Sequence, residues 1–359
     1  MKALLATDLH IHSHKRSIDR LTNCLDVLDW IFQTANAHDC EYILFLGDLF
    51  QDRAKIDVMV YLRTFEVFMK HLNLNKNLKV VMLIGNHDMY HREHWDINSV
   101  KPLTAFENVQ IVDKPTTLNI GGRNIDFLPF TEDPIKELIS LKENRDKTDL
   151  SLLLGHVAVH GAMLNTLYGT TADVVIEHDT GMVPVDAGIF DDWGRTFLGH
   201  YHGAQNLNDK VEYLGSPLQL SYGEAFQRKH IAVLDLDTMQ HEYIVNDFSP
   251  KHFIINKNEI NNYDLKGAFV RIVVDDISNK DLIDIKLDLL EGKKVYSIDF
   301  KKQDRPLEEE LKIDEARSIL FKQDEMLDKW IEEKGVPEGL SKDKLLKIGK
   351  EIFTTTVET

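Results

Sequence analysis

Three apolar runs, at residues 3–7, 42–46 and 79–84, each stop at a small polar cluster, and the stretches between them are long and amphipathic. Parallel strands need crossover connections of about a dozen residues or more, so short aliphatic runs joined by longer periodic segments read as buried strands linked by helices. Leu21, Leu25, Leu28 and Phe32 recur at helical spacing. Helices are therefore expected over 18–37 and 56–74, and the chain begins as an α/β fold. Residues 109–130 read as short antiparallel strands turning at Gly121-Gly122, with further strands near 150–154, 195–198, 211–214 and 230–235. The expected architecture over residues 1–248 is a sandwich of two sheets packed face to face and flanked by helices.

A chain of 359 residues has room for more than one domain at roughly 100–200 residues each. Beyond 248 the pattern changes to strand, helix, strand, at 267–275, 279–291 and 293–301, which defines a small α+β domain over 249–303. Residues 304–359 carry two helical stripes, one of Ile313, Ala316, Leu320, Leu327 and Ile331 and one of Leu345, Ile348 and Ile352. They are separated by Gly335-Val336-Pro337-Glu338-Gly339, the signature of a helical hairpin. Two short, highly charged helices have little core of their own and gain from a partner's groove.

Formal charge excludes a passive nucleic-acid-binding module, which is normally basic on one face. The net charge is −17; residues 301–359 hold 12 Lys+Arg against 15 Asp+Glu, or −3, so −14 falls in the first 300. An acidic protein still receives a phosphate if bound divalent cations supply the positive charge. No stretch approaches the roughly 20 apolar residues of a membrane span. The N-terminal run ends at Asp8 and His10, too short for a signal-peptide core. A cytoplasmic protein is expected. Cys24 and Cys40 stand in no metal-binding or disulfide spacing and read as buried thiols.

The chemistry sits where the strands stop. Asp8-Leu9-His10, Gly47-Asp48 and Gly85-Asn86-His87-Asp88 follow the first three runs; Gly155-His156 and Gly199-His200-Tyr201-His202 follow later ones. Open α/β sheets gather their ligands at the carboxyl ends of strands. Two metal ions about 3.5–4 Å apart can clamp the attacking and leaving oxygens of a phosphoryl transfer, and need oxygen and imidazole donors with a bridging anion. A set of Asp, Asn and His without thiolates suits manganese, iron or zinc better than calcium. Each short motif alone is an ordinary turn; five in this order are not.

That order resembles the calcineurin-like metallophosphoesterase superfamily over residues 1 to about 245. The resemblance implies that Asp8, His10 and His202 hold one ion and Asn86, His156 and His200 the other, with Asp48 bridging. It implies an attacking water activated by the ions and a His87 that is no ligand but protonates the leaving oxygen. Asp88 then either orients His87 or caps a strand end. Residues 215–224, Gly-Ser-Pro-Leu-Gln-Leu-Ser-Tyr-Gly-Glu, resemble a segment of SbcD-type DNA double-strand-break repair nucleases. By that resemblance the α+β domain is a DNA-facing cap and the hairpin docks on a coiled-coil SbcC-type ABC ATPase, within a heterotetramer built on a homodimer. The compact length resembles the phage version, a recombination endonuclease subunit, which would work in the host cytoplasm. The implied cofactors are two manganese ions, with magnesium as the alternative. The implied substrate is double-stranded DNA, cut at ends or hairpins. Gln51 departs from the pattern, since many members have a histidine or aspartate there that assists exonuclease action.

His12 and His14 could contact DNA but are explained equally well as a polar loop after a strand; His160, four residues past His156 in an extended segment, falls far from the ions. His91, His94 and Trp95 could form a nucleotide-contacting loop, with Trp95 stacking on a base or, as more often, sitting in the core. Two other functions share these motifs: a phosphomonoesterase or protein phosphatase on the same ion pair, and a silent scaffold, which has no use for seven ligands and His87.

Overall fold

The structure, a computed structural model, describes residues 1–14, 17–143, 151–165, 170–171, 184–274 and 278–302. The expected hairpin at 304–359 lies outside them. The chain divides into two units, Met1–Val273 with Ile277–Lys301 and Val274–Asp276 with Lys302–Thr359, and the site described below belongs to the first. In chain order the elements are β1 (Lys2–Ala6), α1 (Ile18–Ala37), β2 (Tyr42–Phe45), α2 (Val58–Leu74), β3 (Lys79–Leu83), β4 (Met89–His91), β5 (His94–Asn98), β6 (Val109–Val112), β7 (Thr116–Ile120), β8 (Arg123–Leu128) and α3 (Pro134–Glu143). They continue with β9 (Leu152–His156), β10 (Met163–Asn165), β11 (Thr170–Thr171), β12 (Arg195–Gly199), β13 (Gln205–Asn206), β14 (Val211–Tyr213), β15 (His230–Asp235), β16 (His241–Val245), β17 (His252–Asn256), β18 (Phe269–Val274), α4 (Asn279–Leu287) and β19 (Ser297–Lys302).

Two six-stranded sheets form the body, in the orders β16-β15-β1-β2-β3-β6 and β13-β14-β12-β9-β8-β7. Strands β1, β2, β3 and β6 pair in parallel, as do β8, β9, β12 and β14, so their carboxyl ends fall at one edge of each sheet. Side chains alternate across a strand, and in β1, β2 and β3 both faces are buried, which is why these three are apolar from the second residue on. Ala3, Leu5, Leu44 and Val81 meet Ile125, Phe127, Leu154 and Phe197 between the sheets. Leu4, Ile43, Phe45 and Val80 turn the other way, into a cluster with Leu28, Ile31, Phe32, Phe68 and Leu72 of α1 and α2.

Helix α1 has the expected bounds. Ser17 caps it, its side chain accepting from Arg20 N at 3.3 Å, and Leu21, Cys24, Leu28, Ile31, Phe32 and Ala35 make its buried stripe. Helix α2 starts two residues later than its periodicity suggests, because Asp57 turns its carboxylate onto Met59 N at 2.9 Å and becomes the N-cap. Sequence reasoning passed over the β4–β5 hairpin and the strands β16 and β17. In β4–β5 most side chains are exposed, Tyr90 and Ile97 among them, and Met89 is the one buried apolar residue, so no apolar run or alternation marks them. Strands β17, β18 and β19 form a three-stranded sheet with α4 between the last two. This sheet is tied to the sandwich by His252 N, which donates to the Gln219 amide oxygen, and by Arg20 over the Phe269 ring at 4.9 Å. Among the described residues no helix is long and apolar enough to cross a membrane.

Candidate metal centre

Parallel pairing brings the loops after β1, β2 and β3 side by side at one sheet edge, with the ends of β9 and β12 facing them from the other sheet. Asp8 N donates to Gly47 O at 3.0 Å and His10 N to Asp48 O at 3.1 Å, so the first two motifs run as a continuation of the sheet. Asp8, His10 and Asp48 have φ of 52°, 49° and 57°, the left-handed region that L residues seldom occupy, and His200 has φ of 103°. Such backbone persists only where its surroundings hold it. Here the turns aim four side chains inward at the place where the strands end.

All eight expected residues come together. Asp8 and His156 are fully buried and Asp48 is 1% exposed. His10 Nε2 lies 3.0 Å from His202 Nε2, 3.5 Å from Asp48 Oδ2 and 3.7 Å from Asp8 Oδ1. His156 Nε2 lies 3.1 Å from Asn86 Oδ1 and 3.4 Å from Asp48 Oδ2, and His200 Nδ1 lies 3.0 Å from the same Asn86 oxygen. Asp8, His10 and His202 form one ligand-sized cluster; Asp8, Asp48 and His156 form another, and His10, Asp48 and His87 a third. Asp48 thus stands between two groups of donors, as a bridging anion must.

Supporting contacts fix which nitrogen His156 and His87 present. His156 Nδ1 donates to Leu46 O at 2.7 Å, which leaves Nε2 for the centre. His87 Nδ1 donates to Gln51 O at 2.7 Å, while its backbone N donates to Asp48 Oδ1 at 2.7 Å. Thr7, passed over by sequence reasoning, donates its hydroxyl to Asp8 Oδ2 at 2.8 Å. Asp88 does not orient His87. Its carboxylate accepts from Asp48 N at 2.8 Å, Gly85 N at 2.9 Å and Leu49 N at 3.1 Å, so it caps and clamps two ligand loops together.

Burial disfavours charge throughout the cluster, and each departure shows which neighbour prevails. Burial pushes the Asp48 carboxyl up, yet His156 and His10 hold it well below the usual carboxylate range. Burial likewise lowers His156, and Asp48 overrides it and raises the imidazole to about 9. His200 follows burial, reinforced by His156, down to about 3. In the ion-free protein a protonated histidine therefore stands where a cation is needed. The fit to divalent cations rests on the two buried carboxylates of Asp8 and Asp48 and on the ring nitrogens of His10, His156 and His202 that face them. Oxygen and imidazole donors suit such ions.

Glycines make the approach possible. A Cβ on Gly47 would lie 2.5 Å from His156 Nδ1, and one on Gly85 would overlap Asp48. The residues left unassigned stay outside the centre. His160 is exposed beyond the end of β9; His12 Nδ1 lies 2.9 Å from His10 O, and His14 Nε2 lies 3.3 Å from Cys24 Sγ. Trp95 is half-buried, packed against the core with Nε1 donating to Phe130 O at 2.8 Å. Glu224 and Lys229, which bind the back of His202, carried no local signal beyond the place of Glu224 in the 215–224 segment.

Among solved structures, a novel archaeal phosphodiesterase is 13% identical, covering 68% of this chain and 100% of its own with a TM-score of 0.34. A Pseudomonas putida nuclease MPE is 18% identical over 64% of this chain and 83% of its own, with a TM-score of 0.29. A dimetal phosphatase from Danio rerio is 11% identical over 65% and 91%, with a TM-score of 0.37. Likeness at this level adds nothing to what the site and the sequence establish. The family model of the calcineurin-like phosphoesterases matches residues 1–202, more than half of the chain, and the protein belongs to that family.

Proposed function

We propose that this phosphoesterase is a metal-dependent DNA nuclease that hydrolyses phosphodiester bonds at double-stranded ends or hairpins, in DNA recombination and repair. The observation that carries this reading is the engagement of the 215–224 segment with the metal centre: Glu224 lies 3.1 Å from His202 Nδ1 through Oε1. The stretch that sets the sequence beside SbcD-type nucleases is thus part of the site.

Asp8, His10, His202 and the bridging Asp48 would hold one divalent ion, and Asn86, His156, His200 and Asp48 the other. When bound, the pair supplies Lewis acidity toward the phosphate and lowers the pKa of water. His87 does the remaining proton work. With Nδ1–H committed to Gln51 O, Nε2 is the nitrogen left to face the leaving oxygen, and it delivers a proton there only as imidazolium, a form that burial opposes and Asp48 favours; the ring stands edge-on to His10 with centroids 4.8 Å apart. Manganese is the proposed ion, an SbcC-type ATPase the proposed partner at residues 304–359, and a homodimer the proposed core of the assembly.

Cleavage of a labelled linear duplex with manganese, with magnesium and with chelator tests the substrate, beside p-nitrophenyl phosphate and bis-p-nitrophenyl phosphate. Manganese-dependent cutting with diester turnover and little monoester turnover is expected. Brisk monoester hydrolysis with intact DNA, also after an SbcC-type partner is added, would make the protein a phosphatase. His87→Ala is expected to keep both ions while cleavage falls at least about 100-fold, the scale of a lost general acid. Loss of an ion would instead make His87 a ligand, since it stands within ligand reach of His10 and Asp48.

A further inference from the structure

Behind His202 lies a closed ring of polar contacts that the chemistry above does not use. Glu224 Oε1 is 3.1 Å from His202 Nδ1, and Oε2 meets Lys229 Nζ at 2.6 Å, Ser216 Oγ at 3.1 Å and Leu220 N at 3.2 Å. Lys229 Nζ donates to Ser216 Oγ at 2.9 Å and to Gln227 Oε1 at 2.9 Å, and closes the ring on the backbone carbonyl of His202 at 2.7 Å. Ser216 N donates to that carbonyl as well, at 3.1 Å. Glu224 and Lys229 are each 6% exposed.

A buried ion pair is a poor source of stability, because desolvation of two charges offsets most of their attraction. Its value here lies in what it fixes. A carboxylate can only accept, so the hydrogen between Glu224 and His202 belongs to Nδ1, and the lone pair is left on Nε2. That nitrogen faces His10 Nε2 at 3.0 Å, on the side where Asp8 lies. Lys229 grips both ends of the same residue, the ring through Glu224 and the main chain through the carbonyl. The ring plane and the loop that carries it are held together.

We propose that Glu224 and Lys229 are positioning residues of the metal centre, which lock His202 in tautomer and orientation and thereby set the affinity of the ion shared by Asp8, His10 and His202. The inference rests on the assignment of His202 as a ligand and not on the nature of the phosphoester. Outer partners of ligating histidines typically change metal affinity about 10- to 100-fold when removed.

The test is calorimetric titration of manganese ion into the chelator-stripped full chain, in parent, Glu224→Gln and the double variant Glu224→Gln with Lys229→Met. The double variant removes both charges together and so strands neither. Two binding events are expected in the parent, with one weakened about 10- to 100-fold in each variant and the other unchanged. Urea unfolding of the ion-free proteins runs alongside. Unchanged affinity for both ions overturns the proposal. So does an equal weakening of both that tracks a loss of ion-free stability, or loss of the fold in both variants, since each is the mark of a purely structural pair. A parent that binds no manganese overturns it together with the reading of the site. A parent that binds two ions, shows the selective loss in the variants and leaves DNA intact supports it while refuting the nuclease.

Discussion

Gly199→Ala should damage the centre without touching a ligand. The new methyl would overlap Thr7 Oγ1 and stand 2.6 Å from Leu46 O and 3.0 Å from His156 Nδ1. None of the three can retreat cheaply: Thr7 donates its one hydroxyl hydrogen to Asp8 Oδ2 at 2.8 Å, and His156 Nδ1 donates to Leu46 O at 2.7 Å. Overpacking a tight interior costs about 1–3 kcal/mol, and each of the two displaced hydrogen bonds about 1 kcal/mol more. The sum, about 3–5 kcal/mol, converts to a fall in Tm of about 6–10 °C at roughly 2 °C per kcal/mol for a unit of this size. Because Leu46 O fixes the His156 tautomer, metal affinity should fall too. Gly203→Ala is the control: its methyl meets only the Gln227 amide, at 3.7 Å and beyond, so Tm should hold or rise slightly. Differential scanning calorimetry of the ion-free proteins, followed by manganese titration, reads both effects. A Gly199→Ala protein within 1 °C of the parent, or one that binds ions as tightly as the parent, would refute the argument that this glycine is the space the ligand loops need.

Two other expectations concern groups away from the ions. Burial raises both Cys24 and Cys40 to about 11, so at pH 8 only about one thiol in a thousand is thiolate; iodoacetamide should leave the native protein unlabelled and add two groups in urea, and rapid native labelling would contradict the packing. On the acid side, burial and then Lys229 lower His230 to about 4, while burial and then Arg20 lower His252 to about 3. The unfolded chain takes up these protons near 6.5 and the folded chain refuses them. Their contribution to stability is therefore present above about pH 6.5 and is lost as pH falls through 6.5 toward 4 and 3. Urea midpoints measured from pH 7.5 to 4.5 should decline, and His252→Phe should flatten the decline; an equal slope in both proteins would exclude His252 as a cause.

The strands β1, β2 and β3, the helix α1 and the chemical identity of the site were legible because local pattern decides them. An apolar run that ends in Asp-x-His or Gly-Asp states both where a strand stops and what stands at its carboxyl end. The β4–β5 hairpin was not legible, since a short, largely solvated ribbon in which even Ile97 is exposed has no buried face to write an alternation into its sequence. Nor was the backbone of the centre: nothing in the identity of Asp8, His10 or Asp48 announces φ near 50°, a conformation forced by the paired loops and not preferred by the residues.

Adjacency in the chain was the least dependable guide. Asp88 follows His87 directly, which suggested a dyad, yet successive side chains leaving a strand point apart. His87 looks toward His10, while Asp88 turns back to collect the N–H groups of Asp48, Leu49 and Gly85. The partner that does hold a ring at this centre comes from 22 residues away, Glu224 on His202, and the residue that holds Glu224 is Lys229, five further on. The residues that gather at the centre were readable because the strand ends restrict their place and the donor types that metal chemistry favours restrict their identity. The groups behind them obey only the geometry of the finished fold, where any acceptor within hydrogen-bond reach of Nδ1 serves, a backbone carbonyl at His156 and His87 and a carboxylate at His202. Of those three solutions only the carboxylate is a side chain that substitution can remove, which makes the Glu224 side of the centre the place where its affinity can be tuned without replacing a ligand.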